Sequence, residues 1–107
     1  MISPPPWIDD NGDMQLHGRQ SGNIYFDFFE DDGVTPIDMS ARTVVFEVGP
    51  DINVTLTSVV GDTNRLRLVL DAATVDAIFN AEDKQFVLNE AGLIYMEGIV
   101  YTRGWIE

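Results

Sequence analysis

Beyond Gly22 the chain alternates. Ile24, Phe26 and Phe28 fall on one side of an extended segment, with Asn23, Tyr25, Asp27 and Phe29 on the other, which is the two-residue period of a β-strand. The same period returns over residues 43–48, where Val44, Phe46 and Val48 alternate with Thr43, Val45 and Glu47. It returns over residues 52–57, with Ile52, Val54 and Leu56 against Asn53, Thr55 and Thr57. Leu66, Leu68 and Leu70 against Arg65, Arg67 and Val69 give the cleanest apolar-in, charged-out strand. Gly33, Gly49-Pro50 and Gly61-Asp62-Thr63-Asn64 mark the turns between these runs.

After Asp71 the period changes. Val75, Ile78 and Phe79 recur at three- and four-residue spacing, which predicts a short helix over residues 72–79 capped by Asp71. Phe86 and Leu88 then predict a strand over 85–89, and Ala91-Gly92 predicts a hairpin turn into a last strand over 94–102. That last strand is apolar on both faces, with Ile94, Met96 and Val100 on one side and Leu93, Tyr95, Ile99 and Tyr101 on the other. A strand with one face in water lacks this pattern, so the strand is either central or meets a partner.

Before Gly22, the prolines Pro4, Pro5 and Pro6 fix an extended arm, Trp7 and Ile8 follow, and Asp9-Asp10-Asn11-Gly12-Asp13 turns the chain into a short strand near Met14–His17. The whole pattern predicts an all-β chain. The expected architecture is an immunoglobulin-like antiparallel β-sandwich of about seven strands with one short helix and an extended Pro-rich N-terminal arm. A small closed barrel is the alternative. Residues 1–22 are expected to form the arm and first short strand, and residues 23–107 the sandwich, as a single domain, which suits a length of 107 residues.

Charge narrows the partners. Eighteen acidic residues against six basic ones give a formal net charge of -12, so phosphate backbones and anionic membranes are repelled and neither nucleic acid nor membrane is an expected partner. No apolar run has membrane-spanning length, and the start of the chain lacks the basic and apolar stretches of a secretion signal. Without cysteine, stability must come from packing and strand pairing.

Catalytic chemistry is sparse. The single histidine, His17, has no nucleophile elbow near it and reads as a surface residue on a short strand. If Asp9, Asn11 and Asp13 were the first ligands of a calcium loop, Met14 would stand where glycine is needed and Gln20 where a bidentate glutamate is needed, so the segment reads as a polar turn. Asn53-Val54-Thr55 fits the glycosylation tripeptide and reads as strand sequence, and no glycine-rich phosphate loop is present. No residue is assigned a catalytic, cofactor-binding or metal-ligating role, and no enzymatic activity is expected.

Exposed aromatics carry more information. Amphipathic rings on the outward side of a sandwich sheet suit protein interfaces, so the interface candidates are Pro4, Pro5, Pro6, Trp7, Tyr25, Phe29, Tyr95, Ile99, Tyr101 and Trp105. The competing expectation is that the short helix or the arm covers them. Arg65 and Arg67 project together and are expected to pair across strands with acidic neighbours.

The order of features resembles a known family. Asp31-Asp32-Gly33, then Pro36-Ile37-Asp38-Met39-Ser40, then Ala41-Arg42-Thr43-Val44-Val45-Phe46-Glu47-Val48 is similar to the N-terminal domain of bacteriophage baseplate upper proteins and related tail-fibre attachment domains. The leucine-alternating strand, the helix opening near Asp71, and Met96-Glu97-Gly98-Ile99-Val100 continue the resemblance, over roughly residues 21–102. It implies an immunoglobulin-like sandwich that anchors a fibre or receptor-binding component, without catalytic residues. The expectation is a virion structural protein, made in the host cytoplasm, that docks in the tail or baseplate onto other virion proteins and further copies of itself. A capsid decoration protein on the head is the alternative within that class. A carbohydrate-binding module using Tyr25, Tyr101 or Trp105 is the alternative from another class.

Overall fold

The computed structural model describes residues 6–17 and 21–103. These form strands β1 Trp7–Ile8, β2 Met14–His17, β3 Gly22–Asp27, β4 Val45–Val48, β5 Ile52–Thr55, β6 Thr57–Val59 and β7 Asp62–Leu70, helix α1 Ala72–Asn80, and strands β8 Gln85–Glu90 and β9 Leu93–Arg103. Six strands make one sheet in the order β1-β2-β9-β8-β4-β5, and three make the other in the order β3-β7-β6. The chain is a two-sheet, all-β sandwich.

The alternating runs find each other because their apolar faces coincide. Ile24 lies opposite Leu68 and Phe26 opposite Leu66 in the antiparallel β3–β7 pair. In the larger sheet Phe46 lies opposite both Val54 and Leu88, and Val48 opposite Ile52 and Phe86. Between the sheets Phe46, Phe86, Leu66, Leu68, Leu70 and Leu88 are buried, with the Phe46 and Phe86 rings 5.6 Å apart. Each such side chain contributes about 1.5–3 kcal/mol by leaving water, so this layer dominates the fold's stability.

Residues 52–57, expected as one strand, divide between the sheets. β5 belongs to the large sheet and β6 to the small one, and buried Leu56 turns the corner, donating its N–H to the Val44 carbonyl at 2.9 Å. A change of sheet within one run keeps the period of two, so periodicity cannot reveal it. The next turn falls at Val60 and Gly61, and β7 already begins at Asp62. Between β3 and β4 the long connection is held by Met39, fully buried, whose N–H meets the Thr63 carbonyl at 2.7 Å.

α1 forms where its spacing placed it. The Asp71 carboxylate accepts the Thr74 N–H at 2.8 Å, and Val75 and Ile78 are buried. At the other end the Lys84 ammonium donates to the carbonyls of Ile78 and Phe79, each at 3.2 Å, and to that of Ala81, satisfying acceptors that the helix leaves open. The helix packs beside β5, so it does not cover the exposed aromatics of β3.

Three further expectations are corrected. The sandwich is not wholly antiparallel, because β2 pairs parallel with β9, Met14 opposite Val100 and Leu16 opposite Thr102. His17 is not a surface residue: β1 pairs on the far side of β2, which makes β2 an interior strand with all four residues buried. The His17 ring sits edge-on to Trp7 at 4.8 Å. Finally, Ile94 does not share a face with Met96 and Val100. The β8–β9 register shifts so that Met96 opposes Leu88 while Ile94 opposes Asn89, and the extra residue, Tyr95, forms a β-bulge.

The acidic run after Ile8 is a clasp. One oxygen of the Asp9 carboxylate accepts the N–H groups of Asn11 at 2.9 Å and Asp13 at 3.0 Å, and the other accepts the Gln15 amide at 2.8 Å. Asp13 then accepts the Ile99 N–H at 3.0 Å, fastening the loop to β9. Gly98 permits the approach, since a Cβ there would lie 2.6 Å from the Gly12 carbonyl oxygen.

Candidate functional site

Where the edges of the two sheets meet at β1 and β3, the sandwich is open. Among the described residues β3 is an edge strand, and residues 23–27 line one wall of a groove of about 490 Å³. Pro6, Trp7, Ile8 and Met96 form the other wall. A smaller hollow of about 250 Å³ adjoins it through shared Phe26, Asp27 and Met96, and extends past Phe28, Phe29 and Tyr95. The candidates Pro6, Trp7, Tyr25, Phe29 and Tyr95, scattered along the sequence, therefore lie along one flank.

Each has a local reason for its place. Tyr25 alternates away from Ile24 and Phe26 and is 50% exposed on the β3 rim. The Arg65 guanidinium lies 5.9 Å from its ring centre and is gripped by the Asp27 carboxylate at 2.7 and 3.2 Å. That hydrogen bond holds the Asp27 carboxyl below the ordinary carboxylate value and raises Arg65. This is the cross-strand pair expected of Arg65, whereas Arg67 bonds the Thr57 hydroxyl at 3.4 Å. Both partners of the ion pair are substantially exposed, so it orients the rim more than it stabilises the fold. Phe29, 44% exposed, bridges to Pro36 just beyond the strand.

Tyr95 is the candidate that the bulge turns inward. Its ring meets Phe28 edge-on at 5.2 Å, and its hydroxyl donates to Glu90 at 2.7 Å and accepts from Arg42 at 3.0 Å. Burial, then the Glu90 carboxylate, pushes the phenol up, while the phenol's hydrogen bond pulls Glu90 down. Arg42 also pairs with Glu90 at 3.3 Å. Tyr95 thus lines the smaller hollow as part of the domain's own structure.

The remaining described candidates lie on the outer face of the six-stranded sheet. Trp7 stands opposite Gln15, and Gln15 opposite Tyr101, with Ile99 two residues earlier on the same face. Trp7, Tyr101 and Ile99 are 38, 41 and 46% exposed, half-wet side chains of β1 and β9 on either side of buried Gln15. Trp7 belongs to both surfaces, at the corner between the outer face and the groove. Pro4, Pro5 and Trp105 lie outside the described residues, and Pro6 is buried.

Sequence reading did not single out Met96 and Phe26 as groove-lining residues. Phe26 read as core because its period matched, and it is the edge position of β3 that leaves it half-buried. Among the described residues no three His, Asp or Glu side chains converge as metal ligands would, and no helix is long and apolar enough to cross a membrane. The charged side chain in the groove lining is Asp27, already engaged by Arg65. What the flank offers, among the described residues, is aromatic and thioether surface beside an open strand edge. No protein-family model matches the chain, and no curated protein matches it either.

Proposed function

We propose that this chain is a docking module of a virion, an adaptor of the tail or baseplate that seats on neighbouring subunits through the outer face of its six-stranded sheet. The carrying observation is that Trp7 on β1 and Ile99 and Tyr101 on β9, on either side of buried Gln15 in β2, are three large side chains of one face left partly in water. Exposed aromatic and aliphatic side chains on a sheet face suit a partner, because rigid rings bury much area at small entropic cost. The resemblance to baseplate attachment domains supports the virion setting, and the net charge of -12 argues for protein partners over nucleic acid.

Gold-labelled antibody on purified virions, together with the double variant Ile99→Lys, Tyr101→Glu, tests the reading. Label on the tail, lost in the double variant while the isolated domain melts within a few degrees of wild type, is the expected result. Label confined to the head moves the assignment to a capsid decoration protein. Saturable glycan binding that disappears in Tyr25→Ala or Tyr101→Ala, with no label on virions, overturns it in favour of a carbohydrate-binding module.

A further inference from the structure

We propose that the groove beside β3 takes one extended segment of a different protein, with basic side chains alternating with apolar ones, which adds as a fourth strand to the three-stranded sheet. The inference rests on the docking reading above, uses a different surface, and names the chemistry of the partner.

Geometry carries the first step. Side chains of a strand alternate between faces, so a groove touched by every residue from 23 to 27 must run alongside the backbone. The Phe28 N–H donates to the Asn64 carbonyl at 2.9 Å, which sets the phase of the β3–β7 ladder. Ile24 and Phe26 therefore exchange hydrogen bonds with β7, and the N–H and C=O groups of Asn23, Tyr25 and Asp27 point into the groove. A guest strand of about five residues, about 17 Å long at 3.3 Å per residue, would satisfy them.

Among the described residues the edge is also unguarded. Native edge strands are usually blunted by proline, lysine or a bulge, yet β3 reads Gly-Asn-Ile-Tyr-Phe-Asp and pairs with β7 without a register shift. A regular, aromatic-bearing edge left open in this way is a template for strand addition, in which the main chain supplies affinity and alternate side chains supply specificity. On the inward side, a guest's apolar residues meet Trp7, Phe26 and Met96.

Charge selects the occupant. A second copy would bring a further net charge of -12 to a surface where the cation beside Tyr25, Arg65, is already held by Asp27. Exposed Asp10 follows β1 by two residues, and exposed Glu30 and Asp31 follow Phe29, so acidic groups flank the slot in sequence at both walls. Outward side chains of the guest are therefore basic, and binding weakens with salt.

The test is an NMR titration of ¹⁵N-labelled protein with a capped Lys-Val-Lys-Val-Lys-Val peptide and with its Glu-Val counterpart. Expected are shifts centred on the amides of Asn23, Tyr25 and Asp27 and the Trp7 indole, with affinity at least about tenfold weaker for the acidic peptide and for Tyr25→Arg. The outer-face variant Ile99→Lys, Tyr101→Glu should bind the basic peptide as wild type does. Absence of shifts at β3, equal binding of both peptides, or concentration-dependent β3 shifts without peptide would each overturn the inference, the last in favour of self-pairing. Peptide failure with intact virion incorporation removes the groove proposal alone, whereas peptide binding without virion incorporation removes the virion setting alone.

Discussion

The two flanks of this sandwich are finished differently. On the flank of β5 the chain itself passes from the large sheet to the small one at Leu56, and α1 lies against β5 with Val75 and Ile78 buried. On the flank of β1 and β3 the strands belong to different sheets and are not hydrogen-bonded neighbours, and a groove separates them. Aliphatic side chains close the first flank apart from a hollow of about 450 Å³ between the β4–β5 turn and the end of α1, lined by Val48, Pro50, Ile52 and Ala81; Trp7, Tyr25 and Phe29 stand half in water along the second. The difference is one of closure: covalent continuity and a capped helix complete the core on one side, while on the other an open edge and half-exposed aromatic surface remain among the described residues.

The largest effect should come from breaking the sealed flank. Ile78→Ala removes a fully buried side chain from the inner face of α1 and should cost about 2–5 kcal/mol, read as a lower midpoint in urea with an unchanged slope. An effect below about 1 kcal/mol would mean that the helix lid can collapse onto β5 and that both flanks are equally yielding. Next is the clasp at the open flank. In Gly98→Ala the new Cβ would approach the Gly12 carbonyl oxygen at 2.6 Å and the Phe86 ring at 2.9 Å, so the loop of Asp9 to Asp13 must move. A loss of about 1–3 kcal/mol is expected, with faster amide exchange at Ile99, whose N–H the Asp13 carboxylate would release.

A smaller step returns to α1. Asp71→Ala deletes the cap that accepts the Thr74 N–H and should cost about 1 kcal/mol, whereas Asp71→Ser should recover most of it. Recovery by serine separates capping from any bulk electrostatic effect of removing one of eighteen acidic residues.

These predictions also show how far the sequence could be read. The strands around Ile24, Phe46, Leu66 and Phe86, and the helix capped by Asp71, were legible because each buries one face and so carries its own period. The sheet change at Leu56 was not, since a corner preserves alternation. Nor was the Tyr95 bulge, which reverses the faces of Ile94 and Met96 through register alone. His17 was misread for a related reason: an interior strand is recognised by its neighbours, and β1 is two residues long with no period to announce it. Of the candidate surface, exposed rings at Tyr25, Phe29 and Tyr101 were visible as aromatics out of phase with the core. Their grouping into a groove and an outer face depends on strand order, which pairs residues far apart in the chain and leaves no local signature.

The smallest expected effect distinguishes the flanks by acid. Asp32, at the tip of the loop beyond Phe29, accepts the Thr35 hydroxyl at 2.6 Å and the N–H groups of Thr35 and Val34 at 2.8 Å each. Those bonds, the hydroxyl's first, hold its carboxyl down at about 2, against an ordinary value of 3.8. Between those values the unfolded chain binds the proton that the folded loop refuses, so stability rises with pH there. The contribution is complete above the ordinary value and is lost as pH falls toward about 2. Asp9 and Asp27 on the open flank are depressed in the same direction by Gln15 and Arg65, and Asp71 at the start of α1 by Thr74, but with Asp32 held as low as about 2 the larger acid-dependent loss should fall on the open flank. Carboxyl NMR titration of wild type, with melts of Asp32→Asn between pH 5 and pH 2, checks this. The variant should melt with a shallower pH slope, and the amides of Val34 and Thr35 should lose protection before those of α1. An unchanged slope, with α1 loosening first, would place the acid-sensitive seam on the sealed side and reverse the contrast between the flanks.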